Sequence, residues 1–316
     1  MEGPPEVLLK FLGVAAAVEG AVSTDLAVLG GTIAVLLGEE NSVAGELAAC
    51  AAGIRSPREG KVLVGRRMLE ASTKEGRRAS GFVAHTVEAP PGMTPRGCVN
   101  LAVTAVVKNR NSATEKTREI LEWLDLQTVA NVPLEELNSP EIQRTSMAVC
   151  MATSPELLVV DSPIHESLHS RLKTFARAGN AVLIRTSSLG EIPEGVERIA
   201  LCDSSGIVRV VSRSELRGRA MGGAEISVSF CPSLPRQQLE TIPGIKNLLH
   251  RNGLYKFTHG ETAFAVTQLM NLARANSRAV IELHISSMPP SALIRLFEGD
   301  RGRTFHEGLF TGEDGP

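Results

Sequence analysis

The stretch Leu157-Leu158-Val159-Val160-Asp161 is an unbroken apolar run closed by one carboxylate, and it constrains the fold more than any other part of the chain. A strand that is apolar on both sides is buried on both faces, as in the centre of a parallel sheet covered by helices. The run AVLIR over 181–185 repeats the pattern after a helix-like segment spanning 163–178, and TIAVLL (32–37) and KVLVG (61–65) read as further strands. A helix-like segment at 45–54 and the turn signal SPREG at 56–60 complete an alternation of strand and helix. An α/β layer structure is therefore expected over the first two thirds of the chain.

Residues 112–126 place Ile120, Leu121, Trp123 and Leu124 on one helical face with Ser112 as N-cap, and Pro133 interrupts the chain beyond that helix. A second helix, roughly 140–153, leads into the central strand. From about 211 the pattern changes to strand 224–230, helix 234–241, strands 245–250 and 254–258, helix 261–275 and strand 279–285. That order, β-α-β-β-α-β, reads as a small ferredoxin-like domain. An amphipathic segment at 290–299 precedes a tail with little to bury. The expected organisation is a domain over 1–212 with a helical subdomain at about 90–150, an α+β domain over 213–300, and a flexible tail at 301–316.

The 316 residues are 43% hydrophobic, enough for one large or two moderate cores without staples. A net charge of -2 offers no electrostatic footprint for a polyanion, so nucleic acid is not an expected partner. Cys50, Cys98, Cys150, Cys202 and Cys231 lie far apart with no C-x-x-C pair, which suits a reducing compartment. The opening MEGPPE lacks the basic start of a signal peptide, and Glu19 and Asp25 interrupt the apolar stretch 11–38. A cytoplasmic protein is expected, peripheral on the inner face of the plasma membrane if it docks there.

Four stretches, GTIAVLLGEENSVAGE (31–46), GFVAHTVEAPPGMTPRGCVNLAV (81–103), LEELNSPEIQR (134–144) and ATSPELLVVDSP (152–163), resemble the motif regions of ABC-transporter ATPases in order and spacing. The connecting text does too, so the likeness covers about residues 5–212. The smaller domain resembles the C-terminal extension of some ABC-2-type ATPases, including drug-export and gliding-motility-associated ones. The resemblance implies an ABC-ATPase-like P-loop NTPase fold.

In a phosphate loop, backbone N–H groups converge on phosphate oxygens, a lysine reaches the terminal phosphates and a Ser or Thr hydroxyl holds magnesium. Here the loop reads GEENSVAGE. Aligned on Gly38, it holds Asn41, puts Ala44 at the lysine position and Gly45 at the hydroxyl position, and adds Glu46 to Glu39 and Glu40. One carboxylate about 4 Å from a phosphate charge, at an effective dielectric of about 20, costs on the order of 4 kcal/mol.

The resemblance places His85 at the Q-loop glutamine, and Asn138, Ser139, Pro140 and Glu141 in the signature. Asp161 matches the Walker B aspartate, Ser162 stands where a glutamate base would follow, and Ser187 falls on the switch histidine. The aromatic that would stack on adenine falls near Ala15. Pro140 has no N–H to present to a partner's nucleotide. These departures imply a pseudo-ATPase: no enzyme, no catalytic residue and no bound cofactor.

What the resemblance leaves is a docking surface. Phe82, Val83, Pro90, Pro91 and Met93 are expected to line a groove for a partner helix. The expected partners are a second copy or an active ABC ATPase in a dimer, together with an integral membrane permease or a motility or assembly complex. The role is then structural or regulatory, and a soluble scaffold without a transporter is the alternative. A second alternative is a zinc hydrolase, because His165-Glu166-Ser167-Leu168-His169 is a literal H-E-x-x-H. Against it, Pro163 begins the same helix and the segment corresponds to the family's D-loop, so solvated histidines and no metal are expected. The mixed charges at 74–78 read as a solvated connection, and His85 as a surface residue.

Overall fold

The computed structural model describes residues 6–161, 163–196, 198–220, 223–297 and 309–310. Ser162 lies outside them. The chain divides into two compact units near residue 211.

The first unit contains β1 (Val7–Ala15), β2 (Thr24–Leu29), β3 (Ile33–Gly38), α1 (Ala44–Ala51), β4 (Glu59–Val64), β5 (Leu69–Glu70), α2 (Lys74–Ala79) and β6 (Ser80–Val83). It continues through α3 (Pro95–Thr104), α4 (Arg110–Trp123), α5 (Ser139–Met151), β7 (Leu157–Asp161), α6 (Glu166–Arg177), β8 (Ala181–Thr186), β9 (Arg198–Cys202) and β10 (Ile207–Ser212). Strands β10-β9-β3-β8-β7-β6 form one sheet, with parallel pairing from β9 across to β6. A second sheet is built on the antiparallel neighbours β2-β1-β4-β5.

Leu157, Leu158, Val159 and Val160 are fully buried, as the continuous apolar run requires, and β8 separates β7 from β3. One core joins α1 to facing sides of both sheets through Phe11, Leu36, Leu47, Val62, Val159 and Leu183. Each such side chain contributes about 1.5–3 kcal/mol relative to exposure. Two expected boundaries move. Helix α4 starts at Arg110, capped by Asn109 and not Ser112, because the Asn109 carboxamide oxygen accepts from the N–H groups of Asn111 and Ser112 at 3.0 and 3.1 Å. Helix α6 starts at Glu166, three residues after Pro163, because His165 caps it.

The second unit contains α7 (Arg213–Ala220), β11 (Ala224–Cys231), α8 (Arg236–Leu239), β12 (Lys246–Arg251), β13 (Leu254–His259), α9 (Thr262–Ala275), β14 (Ala279–Ser287) and α10 (Pro290–Arg295). Its sheet runs β12-β13-β11-β14, all antiparallel, which is the strand order of a ferredoxin-like fold. Ile226, Val228 and Phe230 alternate inward along β11 and pack with Tyr255, Phe257 and Leu269. Within the tail, β15 (Leu309–Phe310) pairs parallel with β2, and the rest of 301–316 lies outside the described residues. Among the described residues no helix is long and apolar enough to cross a membrane.

Candidate nucleotide site

The loop between β3 and α1 crosses the C-terminal edge of the parallel sheet, where open α/β sheets place their ligands. Gly38 is obligatory there: a Cβ would stand 2.3 Å from the Ser42 hydroxyl and 2.8 Å from the Cys202 carbonyl oxygen. The Ser42 hydroxyl donates to the Glu39 carbonyl at 2.6 Å and accepts from the Ala44 N–H at 3.4 Å. The Val43 N–H donates to the carbonyl of Asp203 at 2.8 Å. The Asp203 carboxylate in turn accepts the N–H groups of Ser205 and Gly206, at 2.7 and 3.0 Å, and so fixes the turn between β9 and β10. The loop is mounted on that turn.

Within it Asn41 is exposed, Ala44 is buried, and Gly45 and Glu46 are half-buried. Glu46 lies in the first turn of α1, where the helix dipole favours an anion. One of its oxygens pairs with Arg55, and the other is buried with no hydrogen-bond partner among the described residues. Burial, followed by the Glu46 carboxylate, pushes the Cys50 thiol up to about 11, with Arg55 pulling the other way. Cys50 is a packing residue and not a nucleophile.

Asp161 ends β7 and faces Arg185, its register partner on β8, at 3.4 Å. Sequence reasoning missed Arg185; the signal was a lone charge in the apolar run AVLIRT. Thr186 is buried and donates its hydroxyl to Glu191 at 2.7 Å, while Ser187 is exposed beyond the strand. His85 is exposed after β6, and Ala15 is buried at the end of β1.

The signature region opens α5. The Asn138 side chain accepts the Glu141 N–H and the Glu141 carboxylate accepts the Asn138 N–H, each at 3.0 Å, a reciprocal capping box. Ser139 and Pro140 fill the first helical positions, where a missing N–H costs nothing. Gln143, also missed from sequence, is buried and ties α5 to the segment after Asp161. Its amide donates to the Pro163 carbonyl at 2.6 Å and its oxygen accepts the His165 N–H at 2.8 Å. Replacing Gln143 by leucine strands both backbone groups and is expected to cost about 2–3 kcal/mol in urea unfolding. A loss under about 0.5 kcal/mol would mean the segment finds other partners.

His165 sits outside the helix it caps, in an extended conformation, with Nδ1 accepting from the Ser167 N–H at 3.2 Å. It therefore does not share a helical face with His169 as zinc ligands one turn apart do. Burial holds the His169 ring below its ordinary value of 6.5, against the opposing pull of Glu166. Among the described residues no group of three or more His, Cys, Asp or Glu is arranged to hold a metal ion.

Of the residues expected to line a partner groove, Val83 is fully buried and Phe82 packs partly against the core, because both lie in β6. They do not offer a docking surface. Pro90 and Pro91 are exposed and Met93 is half-buried. Leu101 on α3 is 66% exposed.

A parallel α/β sheet with a strand–loop–helix turn at its C-terminal edge, a carboxylate ending a neighbouring strand and an inserted helical region make an α/β P-loop NTPase fold, the fold of ABC ATPase nucleotide-binding domains. The sequence profile described as ABC transporter matches residues 23–165. It is 26% identical over 174 residues to an Fe(3+) ions import ATP-binding protein of Streptomyces avermitilis, covering 52% of this chain and 50% of that one. It is 25% identical over 192 residues to a molybdate/tungstate import ATP-binding protein of Methanocaldococcus jannaschii, covering 58% and 63%. The chain thus spans 50% and 63% of the length of these relatives, under two thirds of either.

Among solved structures it resembles cbiO1 of Clostridium perfringens, part of an ABC transporter complex. The TM-score is 0.58 at 14% identity, over 67% of this chain and 91% of that one. It also resembles a dimeric ATP-binding cassette bound to ADP and Pi, with a TM-score of 0.57 at 18% identity over 65% and 98%. The expectation that the chain is not an enzyme is corrected by these relatives, which are named as import ATP-binding proteins. Physically, absent side chains in the loop do not remove its backbone frame or the charges around it.

Proposed function

We propose that the chain is a nucleotide-binding subunit that acts structurally or as a regulator, docked on a membrane permease and paired with a second cassette, itself or another. The phosphate-type loop at 38–46 and the named relatives support the nucleotide ligand. Leu101 carries the docking: a 66% exposed leucine on α3, close in sequence to the exposed Pro90 and Pro91, is an apolar surface of the kind a partner helix covers. The likeness of the second unit to the extension of ABC-2-type ATPases favours an export or motility-associated assembly on the inner face of the plasma membrane.

A photo-cross-linker at position 101 in the source cells is expected to capture an integral membrane protein. Leu101→Asp is expected to reduce its co-purification at least about tenfold, since burying an unpaired carboxylate costs several kcal/mol. Capture of soluble proteins alone would instead support the scaffold reading.

A further inference from the structure

Arg185 is a charge in a strand that otherwise reads as core. Its neighbours Val182, Leu183, Ile184 and Thr186 are fully buried, and its own side chain is 13% exposed. A guanidinium so placed costs free energy unless it is paired. The register shows what it meets: Asp161 on one side and Leu36, two residues before Gly38, on the other. Residues in register on parallel strands share a face, and alternate residues of one strand return to it. Arg185, Asp161 and Gly38 therefore lie on one face at the edge where the loop begins.

Arg185 is only partly satisfied. A guanidinium presents five donors in a planar fork. The contact to Asp161 is a single long one at 3.4 Å, and Nε is buried with no partner among the described residues. The loop beside it lacks a lysine, because Ala44 stands there, and lacks a metal-holding hydroxyl, because Gly45 stands there. The site thus has a carboxylate whose counter-ion is already built in, and a cation with donors to spare.

We propose that Arg185 is the phosphate-binding cation of this site, compensating for both the absent loop lysine and the magnesium ion, so that a nucleoside triphosphate binds without a divalent metal. The inference rests on the nucleotide-binding reading above. In it Asp161 is a positioning residue: it holds the guanidinium at the sheet edge until phosphate oxygens take over the fork.

The test is calorimetric titration of the full chain with ATP, in excess magnesium and again in excess EDTA. The affinity is expected to agree within about threefold between the two, a difference of less than one charge-assisted contact. Arg185→Leu combined with Asp161→Asn, which leaves neither charge alone, is expected to weaken binding about 10- to 100-fold with melting retained. Asp161→Asn by itself is expected to strengthen binding, because the neutral amide gives up the ion pair that competes with phosphate for the guanidinium, and Arg185→Lys keeps part of it.

Wild-type binding that EDTA abolishes, or that Asp161→Asn removes while Arg185→Leu with Asp161→Asn does no further harm, overturns the inference and assigns Asp161 to a metal; the nucleotide reading then stands. An absence of ATP binding in both conditions overturns the nucleotide reading and the inference with it.

Discussion

Ala44→Lys combined with Gly45→Ser and Glu46→Thr raises ATP affinity by about 100-fold and makes it depend on magnesium, as read by calorimetric titration. A lysine contact to a phosphate contributes about 1.5–3 kcal/mol as a charge-assisted hydrogen bond, and removing the Glu46 charge takes away a repulsion of similar order. A net gain near 3 kcal/mol corresponds to that factor. The released Arg55 is 61% exposed, so losing its carboxylate partner costs little. Binding unchanged within about threefold would show that the triphosphate does not lie along residues 38–46.

Gly60→Ala is expected to remove about 3–5 kcal/mol of stability, measured as a fall in the urea midpoint. Gly60 has φ +80, and a Cβ there would stand 2.2 Å from the Gly13 carbonyl oxygen and 2.4 Å from that of Leu12. The left-handed backbone costs about 1–2 kcal/mol for alanine, and two backbone oxygens cannot retreat as a flexible side chain does, which adds about 1–3 kcal/mol of overpacking. The register shift between Leu12 and Ala15, where β1 crosses to β4, creates this close approach. A loss under about 1 kcal/mol would mean that β1 and β4 separate freely at that end.

The parallel core was legible because its signal is local: four consecutive apolar residues before Asp161, set between helix-like segments, read as a doubly covered strand. The second unit was legible for a related reason, since β11 alternates Ile226, Val228 and Phe230 against polar neighbours. Strands β1 and β2 were not read, although Leu8, Leu9, Phe11 and Leu26 are core. Their pairing is broken by a register shift near Gly13, which blurs the alternation.

The site divides in the same way. Gly38, Glu46 and Asp161 follow from spacing along the chain, whereas Arg185 and Gln143 act through contacts 24 and 20 residues away. Val83 was misplaced because an apolar residue at the end of a short strand looks the same in sequence whether it turns inward or outward. The expectation that the chain is not an enzyme leaned on the loop alone, which is one part of the site; the neighbouring strand carries charge of its own in Arg185.

The tie between the Val43 amide and the Asp203 carbonyl has a kinetic consequence. A phosphate loop that must order itself around its ligand gives up backbone entropy on binding and admits the ligand only through its rarer closed forms. Here the cradle is held shut by the turn between β9 and β10 before anything arrives. The Val43 amide should therefore exchange with deuterium as slowly as the central strands do, with or without nucleotide. Association is then limited by diffusion and charge, not by a search among loop shapes.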